Sequence, residues 1–264
     1  MIRNRSDNKR FIFQPTHAQL AKQVFQQIKP ALLKDVANIP EVESAIELHD
    51  IGWAIWEQQP AINRLTGYPY DFTGIPVDDH LAIWKNCSRI VGKMNSFASL
   101  LVSLHTTYLA EKHDSTNDTK RELEAVTNFW DEEQLFRKNL LDSLQQFQAY
   151  QDIDSKQLEI MRSWISFCDY VSLLLCMQGF HNQLITDLPE RIQAEQIEIS
   201  QVTDYENRYR VEPWIFKTNE ITLQCDSVIL NGQYHDSEKL DMDTEMQELQ
   251  TYITPYTTIL QKQK

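Results

Sequence analysis

Glu47-Leu48-His49-Asp50-Ile51-Gly52-Trp53 sets a histidine beside an aspartate at the end of an apolar-periodic run. Val42, Ala45, Ile46 and His49 fall at helical spacing on one face, and Gly52 reads as a stop, so the pair is expected to close a helix. Neighbouring helical side chains diverge by about 100°, yet a long imidazole arm and a short carboxylate arm can meet on one metal ion. An isolated His-Asp pair is weak, because a lone histidine on an apolar face is usually a satisfied core residue. Its weight comes from other polar residues placed the same way.

Upstream, Arg10 to Phe13 can form a strand and Pro15 starts a helix in which His17, Leu20, Ala21, Val24 and Ile28 share a face. Downstream, Asp78 or Asp79 can cap a helix that aligns His80, Ile83, Trp84, Cys87 and Val91. A helix over 96–110 aligns Ala98, Leu101, Val102, His105 and Leu109. Another over 155–180 carries Asp169 in the middle of an apolar run, beside Leu158, Ile165, Ser172 and Cys176. A carboxylate there needs a salt-bridge partner, a helix end to cap, or a metal, since desolvation otherwise protonates it.

Between these helices, residues 53–79 hold Pro60, Gly67, Pro69, Gly74 and Pro76 and read as an irregular loop, a natural wall or lid for a site. Residues 111–120 are polar without period, with His113 read as a solvated loop residue. A charged helix over 120–150 follows, so 111–150 forms a charged helical insertion on the outside of the core. Residues 190–235 alternate at Ile197/Ile199 and Ile221/Leu223/Cys225 and contain Asn231-Gly232, the signature of a small antiparallel sheet. Residues 238–262 return to helix. The expected fold is mainly α: one domain over 1–264, a helical bundle with a small C-terminal antiparallel β element in an extension over 190–264.

The net charge of −13 leaves no basic stripe, which excludes a nucleic-acid polymer as partner. A small anionic substrate stays compatible if a bound cation supplies positive charge locally. Six glycines, none in GxGxxG or GxxxxGK[ST] form, exclude Rossmann and P-loop nucleotide sites. Cys87, Cys168, Cys176 and Cys225 form no CxxC pair and read as reduced thiols. With no signal-peptide pattern and no stretch read as a membrane span, a soluble cytoplasmic protein is expected.

His17, His49, Asp50, His80, His105 and Asp169 make a nitrogen and oxygen donor set suited to Fe, Mn, Zn, Co or Ni, and the lack of thiolates argues against a structural zinc knot. In this order, H…HD…H…H…D, they resemble the HD-domain superfamily of metal-dependent hydrolases, and the spacing to His80 and His105 is similar to HD-GYP-type phosphodiesterases. By overall layout the chain also resembles the bacterial DUF3891 family. That likeness rests on Gln14…His17-Ala18, the His-Asp pair, Leu101-Val102-Ser103-Leu104-His105, Phe167-Cys168-Asp169-Tyr170 and Pro213-Trp214-Ile215-Phe216. The resemblance implies an HD-like helical fold with His17, His49, Asp50 and Asp169 as core ligands of one or two divalent transition metals, and His80 and His105 extending the site to a second. Trp53 and Thr106 stand where HD-GYP proteins carry a lysine and a second histidine, and Gly67-Tyr68-Pro69 precedes His80 instead of following it. These departures speak against cyclic-dinucleotide cleavage.

The function implied is a phosphohydrolase acting on a small phosphate ester or nucleotide. Asp50 or Asp169 would orient the nucleophile and Arg64, Lys85 or Arg89 would offset phosphate charge. Two alternatives keep the metal: a di-iron HD-type oxygenase whose apolar pocket is lined by Trp53, Trp84 and Tyr108, and a non-enzymatic metal-containing sensor. Oligomeric state is not legible in the chain.

Overall fold

The computed structural model describes residues 1–7, 9–113, 115–203, 205, 207–230, 232–244 and 253–262. In chain order the strands β1 (Ile2–Arg3) and β2 (Arg10–Ile12) lead into helices α1 (Gln14–Gln27) and α2 (Ile39–Leu48). A short helix α3 (Trp53–Trp56) and a hairpin of β3 (Ile62–Asn63) and β4 (Tyr68–Pro69) follow. Next come α4 (Val77–Val91), α5 (Ser96–Glu111), α6 (Lys120–Leu144) and α7 (Ser155–Met177). The remaining strands are β5 (Asn182–Ile185), β6 (Ile197–Gln201), β7 (Arg208–Glu212), β8 (Glu220–Ile229) and β9 (Ile253–Lys262).

Helix boundaries follow local chemistry. Asn95 accepts from the Ala98 amide and Asp154 from that of Gln157. Thr119 and Glu122 form a reciprocal capping box. The helix α7 is the axis of the helical layer, with α1, α2 and α5 packed around it. It is long and apolar enough to cross a membrane, but 67% of that stretch is buried inside the protein, which makes it the core helix.

The mainly α HD-like bundle expected from sequence is not the fold. Half the chain is helical, but 19% is strand, gathered in one curled seven-stranded sheet that forms a half-barrel. The sheet order is β1-β2-β8-β9-β7-β6-β5, antiparallel except for the parallel pair β7–β9. It is not a C-terminal extension, because β1 and β2 come from the start of the sequence. It packs on α1 through β8 and on α7 through β1. Asn4 donates to the Cys176 carbonyl at 3.0 Å and the Tyr256 hydroxyl to that of Leu175, which fastens the sheet to the last turn of α7.

Two local readings change with it. Residues 253–262, expected as helix, are the strand β9, paired with β8 from Glu220↔Gln261 to Val228↔Ile253. Its β-branched residues and the inward alternation of Tyr256, Thr258 and Leu260 suit a strand between two neighbours. Pro255 is tolerated because β7 pairs only with Ile259 to Lys262, leaving that end of β9 open on one side. The Asn231-Gly232 turn lies outside the described residues at Asn231, as do residues 245–252 of the expected helix. Residues 53–79 are not a structureless loop, since they hold α3, the hairpin and a 3-10 turn at Phe72–Gly74. The charged helix α6 is mostly exposed, and a buried carboxylate ties it to the core. Its Glu133 is fully buried, accepting from Ser88 at 3.3 Å and Ser103 at 2.5 Å and pairing with Arg89 at 2.7 Å.

Gly52 proves to be more than a helix stop. Its φ of −64° suits any residue, but a Cβ there would lie 2.5 Å from the Ile83 carbonyl oxygen and 2.8 Å from the Cys87 amide. The chain after the His-Asp pair therefore runs directly against the backbone of α4. A Gly52→Ala substitution is expected to force the two apart and lower stability by about 2–3 kcal/mol, measured as a drop in the urea midpoint at unchanged m-value.

Candidate metal centre

Four elements converge behind the His-Asp pair. His17 comes from the first turn of α1, His49 from the C-cap of α2, Asp50 from the turn that follows, His105 from α5 and Asp169 from the middle of α7. All five are buried, with His17 and His105 at 0% exposure. Asp169 is the hub: its Oδ1 lies 3.0 Å from His17 Nε2 and 3.2 Å from His49 Nε2, and its Oδ2 lies 3.3 Å from His105 Nε2. Asp50 Oδ2 stands 3.6 Å from both His17 Nδ1 and His49 Nε2. The rings of His17 and His49, and of His49 and His105, meet edge to face at 5.1 and 5.2 Å.

Proton positions follow from the partners. His17 Nδ1 is 2.6 Å from the Gln14 carbonyl oxygen and His49 Nδ1 is 2.7 Å from that of Ile46. A carbonyl only accepts, so both Nδ1 atoms carry hydrogens and donate. Each neutral ring then turns the lone pair of Nε2 toward the Asp169 carboxylate, an acceptor facing an acceptor. Only a positive charge resolves that arrangement, either a second proton on the ring or a cation among the groups. Backbone-anchored histidines of this kind are how metal-binding imidazoles are ordinarily held.

The electrostatics agree. Burial alone would lower the pKa of His49, but the carboxylates of Asp50 and Asp169 and the hydrogen bond to Asp169 raise it to about 9. Burial would raise that of Asp169, but the charge on His49 and the three imidazole contacts hold it well below the usual carboxylate range. Burial lowers that of His105. His105 Nε2 is buried and forms no hydrogen bond despite its nearness to Asp169, while Nδ1 is held at 3.0 Å by Ser166 Oγ. A buried nitrogen left without a hydrogen bond beside a carboxylate is a position that a metal ion could complete. His17, His49 and Asp50 form one group able to hold a metal, and His49, His105 and Asp169 form another. They share His49, whose Nδ1 is committed, so its single remaining lone pair serves one ion.

The cluster opens into a cavity of about 530 Å³. Asp50 and Asp169 form its floor, Trp53, His80, Trp84 and Phe72 its walls, and Lys112 and His113 its rim. His80, expected as a ligand to a second metal, belongs to neither ligand group. It is a wall residue, stacked on Trp84 at 5.0 Å and edge-on to Trp53 at 5.3 Å. Trp53 and Trp84 line the cavity as the apolar-pocket reading expected. Tyr108 does not, lying under the Arg162 guanidinium at 3.8 Å. The three cations expected near a phosphate are engaged elsewhere: Arg64 with Glu238 at 3.2 Å, Lys85 with Glu132 and Arg89 with Glu133. Sequence reasoning named Gln14 only as part of the family likeness and missed Lys112, while His113, exposed as a solvated loop residue should be, also borders the cavity and is bonded to Asp118 at 3.0 Å. Gln14 precedes His17 by one helical turn, a spacing that could have flagged it.

A protein-family model described as a protein of unknown function, DUF3891, matches residues 1–232. No curated protein and no solved structure matches the chain.

Burial, reinforced by the Met1 ammonium and by His113, lowers the pKa of His80 from 6.5 to about 4. The unfolded chain therefore binds a proton between those values that the folded chain refuses, so this contribution to stability is lost as pH falls through that window and is constant above it. Between pH 7 and pH 5 His80 is expected to cost on the order of 2 kcal/mol, read as the loss in unfolding free energy that a His80→Phe variant does not share.

Proposed function

The chain belongs to the DUF3891 family, and within it we propose a metal-dependent hydrolase acting on a small phosphate ester. The observation that carries the reading is the pair of imidazoles whose Nδ1 hydrogens are fixed by the Gln14 and Ile46 carbonyls, so that both Nε2 atoms face one carboxylate and call for a positive charge there, which a metal ion supplies to both rings at once. The order His17, His49-Asp50, Asp169 also resembles the ligand order of HD-type hydrolases. The expected HD bundle is not carried over with it, so the reading rests on the site alone.

His17, His49, Asp50 and Asp169 would hold one divalent transition metal, with His105 as a further donor. When bound, that ion supplies Lewis acidity and a water of lowered pKa. Asp50, on the cavity floor, would hold the ion through Oδ2, which faces His17 and His49, and would orient the attacking water and take its proton at the other carboxylate oxygen. Asp169 keeps the imidazoles in place and offsets the charge of the ion. Lys112 at the rim meets the oxyanion of the substrate, and the apolar walls keep bulk water from the reacting group.

A second reading, oxidation of an apolar substrate at iron, is favoured by one observation: among the described residues Lys112 is the one lysine or arginine that lines the cavity, among walls of Trp53, Trp84 and Phe72. Iron-dependent oxygen uptake separates the two.

The test is metal content by mass spectrometry of protein purified without added metal. About one equivalent of a transition metal is expected, lost in His49→Gln and Asp169→Asn variants that keep their circular dichroism. Chelation is expected to lower stability by about 2.7 kcal/mol where free metal had stood at 100 times its Kd. A folded protein that takes up no transition metal even on reconstitution refutes the reading.

A further inference from the structure

Two residues that line the cavity above the cluster each hold a buried polar atom without a partner. Gln14 is 2% exposed and Trp53 is 1% exposed, and both line that cavity. Gln14 Oε1 and Trp53 Nε1 are each buried without a hydrogen-bond partner. A buried acceptor and a buried donor without partners, on two residues that line one cavity, are costly unless something completes them. The wall beside them is aromatic: His80 and Trp84 stack with their planes 14° apart, and Trp53 stands at 83° to His80. Phe72, Leu109 and Leu173 continue the apolar lining. The volume, about 530 Å³, lies in the range that encloses a small organic molecule. A larger cavity of about 670 Å³ near Val36, Trp164 and Arg191 has none of the cluster residues in its lining, and its Arg191 is already paired with Asp35 at 3.2 Å.

We propose that this cavity binds a flat body of one or two fused rings, carrying a hydrogen-bond donor for Gln14 Oε1 and an acceptor for Trp53 Nε1, with at most one anionic group. This deepens the hydrolase reading and rests on it for the identity of the reacting group, a monoester on the ring. Charge supports the limit on anionic groups. A divalent ion in the cluster would be offset by Asp50 and Asp169, which leaves Lys112, the one lysine or arginine in the lining among the described residues, to meet an anionic group, so a polyphosphate is poorly matched. The aromatic faces reward a planar body with offset-stacked or edge contacts that a sugar or glycerol cannot make.

The experiment is calorimetric titration of the full chain, as purified and metal-loaded, with indole, 3-indolyl phosphate, 1-naphthyl phosphate, glycerol 2-phosphate, inorganic phosphate and ATP. 3-Indolyl phosphate is expected to bind about 10-fold or more tightly than glycerol 2-phosphate, inorganic phosphate or ATP, a difference of about 1.4 kcal/mol. Trp84→Leu should remove most of that preference while leaving inorganic phosphate affinity unchanged. Gln14→Leu, which keeps the backbone carbonyl that holds His17, should weaken 3-indolyl phosphate about 5-fold but not 1-naphthyl phosphate, which lacks the N–H. Equal affinities for the ring and glycerol esters, or tightest binding of ATP, overturn the proposal even if metal and phosphate bind well. Conversely, indole that binds with full dependence on Trp84 in a protein that takes up no metal supports the ring site and removes the hydrolase reading. A Trp84→Leu variant that unfolds is replaced by Trp84→Phe, which should keep the ring preference; its loss there counts against the proposal.

Discussion

The structure turns on one carboxylate. Asp169 is buried in the central helix, and three imidazoles from three other segments of chain are aimed at its two oxygens. Two of those rings cannot turn to relieve the contact, because backbone carbonyls already take their other nitrogens. The ends of α1 and α2 and the middle of α5 are therefore located by a polar requirement as much as by apolar packing. A hydrophobic core tolerates small shifts, whereas a buried polar cluster left half satisfied is worse than none. Gly52 shows the same demand from outside: only a residue without a side chain lets the chain after Asp50 lie on α4 closely enough to keep the carboxylate in place.

Much of this cluster was legible in the sequence, and for a physical reason. His17, His49, His105 and Asp169 each occupy the apolar face of a helix, where burying a polar group is costly unless it has partners, so their shared placement pointed to one another. His80 obeyed the same pattern and went elsewhere. Periodicity reports that a residue faces inward, not which neighbour it meets, and Trp53 and Trp84 hold His80 as a wall. The cations Arg64, Lys85 and Arg89 were placed by charge alone, and nearby glutamates capture all three. Lys112 was invisible because the end of α5 has no local signal that it borders a cavity formed by distant segments.

The sheet was the larger miss. Helix periodicity is local and can be counted within a few turns, but β1 and β2 are only two and three residues long and acquire meaning from pairing with β8, more than two hundred residues away. The alternation at Ile197/Ile199 and Ile221/Leu223/Cys225 identified strands without giving their neighbours. In 253–262 the alternation of Tyr256, Thr258 and Leu260 was present but was absorbed into the helical character of the residues before it. A mixed sheet with one parallel pair cannot be assembled from hairpin signals alone, since β7 and β9 meet through a long connection and no turn.

The position of β9 has a further consequence. No pairing joins β8 to β7, so the curled sheet is two halves, β1-β2-β8 and β7-β6-β5, that meet only through this strand. Among the described residues β9 alone bridges the edges of the two halves. Closure of the sheet rests on its pairing with Val228 to Glu220 on one side and with Arg208 to Val211 on the other. Any fluctuation that frees β9 uncovers two unpaired edges at once, each rich in β-branched or aromatic residues, and turns the gap that β9 fills into a template for a strand of another chain.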